Sequence, residues 1–164
     1  MMENGKLDKF REELFAIGEG IEEFLISCQN VFHRADGNNS KVLQIVRLTA
    51  DLTVKNVESL AVMIVLAENA KDPAQARHVI RLWLDRLKED ISATENHLKE
   101  FKTFDSRTIN HRVVLCSQKM TDFNRRFKLF IQELEAFYAM DEKSVSFRSF
   151  YPKRPKAPYP SMFL

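Results

Sequence analysis

Residues that interrupt regular structure are scarce in this chain: its 164 positions hold four glycines and five prolines. That scarcity excludes a collagen-like repeat and a glycine- and proline-rich disordered sequence. Cysteine occurs only twice, too rarely for a disulfide-stapled scaffold, and the chain reads as one from a reducing compartment. Long apolar runs are missing as well. The longest, Leu60 to Ala67, is closed by Glu58 and Glu68, well short of the about 20 residues that cross a bilayer. Met1 to Lys9 is polar and charged, without the apolar stretch of a signal peptide or the acid-poor character of a transit peptide. The expected location is therefore the cytoplasm, with the nucleus as the alternative.

Catalytic signatures are absent too. There is no G-x-x-x-x-G-K-[ST] loop, no G-x-S-x-G elbow and no C-x-x-C pair. His33, His78, His97 and His111 never stand at the three- or four-residue spacing that places two ligands on one helical face. A histidine phosphotransfer site needs a small residue and a lysine at set positions around its histidine, and His97-Leu98-Lys99-Glu100 does not supply them. No cofactor or metal is expected, and the chain is not expected to be an enzyme.

What the sequence does contain is helical rhythm. Ile109, Val113, Cys116, Met120, Phe123, Phe127, Phe130, Leu134 and Phe137 alternate steps of four and three. An α-helix turns about 100° per residue, so this spacing gathers them into one stripe that is buried only against other helices. Three more segments repeat the pattern: Leu7, Phe10, Leu14, Ile17, Ile21, Phe24, Cys28 and Val31; Leu43, Val46, Ala50, Thr53, Val57, Leu60, Ile64 and Ala67; and Ile80, Leu84, Leu87, Ile91, Thr94, Leu98 and Phe101. No seam position carries a carboxylate or histidine, so the di-iron pattern of bundle enzymes is not present.

The joints are short. Asp36-Gly37-Asn38-Asn39 punctuates the chain before a helix capped by Ser40, Asp72-Pro73 opens the third helix, and Asp105 or Ser106 caps the fourth. The expected helices span about 5–34, 40–71, 73–103 and 106–140. Such joints fold each helix back beside the last, which predicts an all-α, antiparallel up-down-up-down four-helix bundle over residues 1–143. Glu12, Glu13, Glu19, Glu22 and Glu23 make the first helix acidic, while Arg107, Arg112, Lys119, Arg125, Arg126 and Lys128 make the fourth basic. Counting along the axes places Glu12 and Glu13 beside Arg125 to Lys128, and Glu22 and Glu23 beside Lys119.

From Ser144 onward acids disappear and prolines crowd in. Pro152, Pro155, Pro158 and Pro160 favour an extended, polyproline-like tail over 144–164. Arg148, Lys153, Arg154 and Lys156 carry four positive charges, so the chain's net +2 leaves the remainder at about −2. Large apolar side chains on an extended segment suit pockets on a folded surface. The expected partner-binding residues are Phe147, Arg148, Phe150, Tyr151, Lys153, Arg154, Lys156, Tyr159, Phe163 and Leu164. The leading expectation is a non-enzymatic protein–protein interaction or structural subunit, a scaffold piece docking on a larger assembly through this tail. Two alternatives stand beside it: a nucleic-acid-associated bundle using the basic fourth helix and tail, and a bundle enzyme or cofactor carrier without a recognisable motif. Leu60 to Ala67 is apolar all round, more than a four-helix core requires, which also admits a homodimer.

Overall fold

A computed structural model describes residues 2–100, 104 and 106–145, with side-chain surroundings for 5–100, 104 and 107–139. The described residues are helical almost throughout, with no strand among them. In chain order they form α1 (Met2–Ser27), α2 (Gln29–Arg34), α3 (Gly37–Glu68), α4 (Pro73–Lys99), a short 3₁₀ turn (Ser106–Thr108) and α5 (His111–Val145). None is long and apolar enough to cross a membrane. The seams meet in a single buried cluster containing Leu14, Ile17, Ile21, Leu60, Ile64, Leu84, Leu87, Met120, Phe127 and Leu134.

Cross-helix pairs set the alignment. Phe10 stands edge-on to Phe130 and Phe137, Phe24 lies 5.8 Å from Phe123, and Cys28 meets Cys116, so numbers rise on α1 as they fall on α5. Arg11 reaches Glu68 at 3.3 Å between α1 and α3, and Asn56 donates to Asp90 at 3.2 Å between α3 and α4. Lys128 and Glu95 join α5 to α4 at 3.1 Å. Gly20 admits the closest approach: a β-carbon there would stand 2.9 Å from the Phe123 ring, which explains a residue that otherwise costs a helix about 1 kcal/mol relative to alanine.

Several boundaries differ from the sequence expectation. The first helix is not continuous over 5–34, because it breaks at Cys28, whose φ of −93° and ψ of 0° leave the helical basin. Ser27 Oγ donates to the Phe24 carbonyl at 2.7 Å, and Cys28 N–H is split between the Phe24 and Leu25 carbonyls. A serine bonded back onto its own helix weakens and bends the ladder in this way. Helix α3 begins at Gly37 rather than Ser40, with Asp36 in extended conformation at its N-cap. Gly37 takes φ +54°, where a β-carbon would be strained. It ends at Glu68, short of residue 71, where Asn69 Nδ2 and its own N–H both turn back to the Val65 carbonyl.

Asp72 caps α4 through Gln75 N–H at 3.2 Å, with Pro73 in the first turn. That helix stops at Lys99; Phe101 and Asp105 lie outside the described residues. Ser106 opens the 3₁₀ turn and caps no α-helix; Asn110 caps α5, its Oδ1 accepting from Arg112 N–H at 2.9 Å. Helix α5 also runs past the expected residue 140 to Val145.

Candidate functional site

All ten tail residues expected to bind a partner, Phe147, Arg148, Phe150, Tyr151, Lys153, Arg154, Lys156, Tyr159, Phe163 and Leu164, lie outside the described residues. The described chain does contain three places where side chains converge, and on α3 a row of apolar side chains that the core leaves uncovered; Phe15, Ile26, Leu82, Leu115 and Leu129 are exposed more singly on the other helices.

The first is a thiol pair. The break at Cys28 turns its sulfur toward α5, where Cys116 Sγ stands 3.1 Å away, both residues being buried. Burial pushes the Cys116 thiol up to about 12, the hydrogen bond with Cys28 adds to this, and Lys119 opposes it weakly. The thiolate is the nucleophile and the metal-binding form, so at neutral pH Cys116 is held as a protonated, unreactive thiol. Among the described residues no three His, Cys, Asp or Glu side chains gather in a way that could hold a metal ion.

The second is a cleft of about 570 Å³ between α4 and α5. Ile91, Ile131, Ala136 and Ala139 form its apolar wall, and Lys88, Lys128 and Glu135 its polar edge. Lys88 pairs with Glu135, and Lys128 with Glu95, so both ammonium groups are already neutralised. The third place joins two loops at one end of the molecule. Asn38 Nδ2 donates to Thr108 Oγ1 at 2.9 Å, Asn39 Nδ2 donates to the Thr108 carbonyl at 3.2 Å, and Asn39 Oδ1 accepts from Asn110 N–H at 2.7 Å.

The charge pairing expected between the first and fourth seams takes another form. Among the described residues no ion pair within 4 Å links the α1 glutamates to α5. Arg125 pairs instead with Asp122 of its own helix at 3.7 Å, Lys128 turns to α4, and Lys119 sits over the Phe24 ring at 5.8 Å. Counting axial steps gave the level of these side chains but not the side of α5 from which they leave it.

The uncovered surface is the solvent face of α3. Leu48 is 69% exposed, Val62 57%, Leu66 40% and Leu52 39%, while Val46, Ala50, Leu60 and Ile64 on the opposite side are fully buried. The sequence by itself marks the stretch Leu60 to Ala67 as over-apolar. The signal that finds the rest is a second run of four- and three-residue steps, Leu48, Leu52, Lys55, Ser59, Val62 and Leu66, offset half a turn from the buried seam.

Comparison with protein families, with curated proteins and with solved structures finds no match to this chain.

Proposed function

We propose that this chain is a non-enzymatic interaction subunit, an up-down-up-down antiparallel four-helix bundle that presents surfaces to other proteins and fastens to a larger assembly through residues 144–164. The observation that carries the reading is the line of exposed leucine and valine side chains on the outer face of α3. Single exposed apolar residues are ordinary, but several in one row on the face opposite the core are a feature of contact surfaces. The sequence of the tail supports the same reading, since prolines lower the entropy lost on docking and aromatic residues supply anchors. The proposed setting is a reducing compartment, the cytoplasm first and the nucleus second.

Deletion of residues 144–164 tests the docking role. Far-UV circular dichroism should retain the helical signal, while affinity capture should lose the partner recovered with the full chain. Equal recovery by both forms would refute docking through the tail.

One observation favours a second reading. Arg112, Lys119 and Arg126 stand exposed at seven-residue spacing along α5 with no acidic partner among the described residues, a row suited to phosphates. Nucleic-acid binding would weaken log-linearly with salt, whereas aromatic docking would persist.

A further inference from the structure

The outer stripe of α3 has an internal symmetry. Leu48 and Leu66 lie equally far from Val57, as do Leu52 and Val62, and Lys55 and Ser59. The stripe therefore reads the same from either end in residue class: apolar, apolar, polar, polar, apolar, apolar. An antiparallel pair of such helices related by a two-fold axis across the outer face, at the axial level of Val57, would bring Leu48 against Leu66 of the second copy, Leu52 against Val62, and Lys55 against Ser59. The alternating steps of four and three are those of a coiled-coil seam, and in an antiparallel pair each layer joins the two kinds of seam position, as these pairings do.

Charge supports the same occupant. Lys55 and Glu58 are exposed and have no ion-pair partner among the described residues. In the two-fold arrangement, Lys55 of one copy stands about 1.5 Å along the axis from Glu58 of the other, at 1.5 Å rise per residue. The axis thus gathers two ammonium groups and two carboxylates, a neutral set in which each lysine lies beside the other copy's glutamate. A surface built for an unrelated partner would have no reason to be complementary to its own reversal, whereas a closed two-fold contact requires it.

We infer that the solvent face of α3 is the interface of an antiparallel two-fold homodimer, with Leu48, Leu52, Val62 and Leu66 as its apolar layers and Lys55 and Glu58 as its charged centre. The inference rests on the reading of the chain as an interaction protein and names one of its partners as a second copy of itself. The contact runs about 27 Å from Leu48 to Leu66 at helical rise, and a contact this narrow gives a reversible dimer rather than an obligate one.

The test is sedimentation of the full-length chain over a micromolar dilution series. The expected result is a species of twice the 19.2 kDa chain mass that dissociates on dilution. Leu52→Lys and Val62→Glu each place a charge against an apolar side chain and should weaken association by about tenfold or more. Combining both changes in one chain sets lysine against glutamate in both symmetry-related layers, so the double variant should dimerise again. Both positions of change face solvent in the single chain, and unchanged helicity confirms folding.

A wild-type chain that stays monomeric throughout the series would overturn the inference, and so would a double variant no better than the single ones. Loss of the partner on tail deletion alongside a monomeric wild type would sink the dimer and leave the interaction reading standing. A self-associating chain whose partner recovery ignores the tail would do the reverse for tail docking.

Discussion

Asn124 is 1% exposed in the interior of the bundle, its Nδ2 donating to the Ile91 carbonyl at a long 3.4 Å and its Oδ1 accepting nothing. A desolvated acceptor without a partner costs about 1–3 kcal/mol. Leucine has the same branching of heavy atoms as asparagine and no polar group, so Asn124→Leu should stabilise the fold by about 1–2 kcal/mol. Urea unfolding would show this as a higher midpoint with an unchanged slope. Cys116 gives a second expectation at this scale. Its folded thiol titrates near 12 against an ordinary value of 9.0, so the unfolded chain loses the proton first as pH rises. The contribution of this group is therefore fully present below about pH 9 and is lost between about 9 and 12. Cys116→Ala should flatten the fall in stability across that window, and native Cys116 should resist alkylation at neutral pH. The stripes already marked both cysteines as inward-facing and placed them within a layer of each other. The orphaned oxygen of Asn124 was not legible, because Asn124 is not a seam residue and its burial depends on which flank of α5 faces α4.

Among the helices, apolar spacing carried most of the information, and the ends carried little of it. Every core position on α4, from Ile80 to Leu98, follows from steps of three and four, and Asp72-Pro73 marked its start correctly. The start of α5 did not follow, since Asn110 competes with Asp105 and Ser106 as a capping residue and only the bond to Arg112 N–H decides between them. Removing that acceptor in Asn110→Ala should cost about 1 kcal/mol, measured as a lowered melting temperature, with faster hydrogen exchange at the Arg112 amide. The break at Cys28 also escaped the periodicity, which continues through it from Phe24 to Val31. It comes from one hydroxyl, and Ser27→Ala should let α1 and α2 join more closely, visible as greater amide protection at Cys28 and Gln29. The outer face of α3 was half legible: the excess of apolar residues in Leu60 to Ala67 is plain in the sequence, but Leu48 and Leu52 stand out only once the buried side is known.

For the whole molecule, the two ends of the bundle are not equivalent. One end carries the asparagine bonds that fasten the α2–α3 joint to Thr108 and Asn110, across as many as 71 residues of chain. The other carries the Asn69–Asp72 joint, the start of α1 and the close of α5. Tension applied through the residues after Val145 would act first on this second end, where the Phe10–Phe137 contact and the Lys88–Glu135 pair hold the close of α5. It would load α5 as a zipper, one turn at a time from Tyr138 toward Met120, and reach the asparagine bonds last. A subunit tethered by its C-terminus would yield gradually under load and recoil from an intact base.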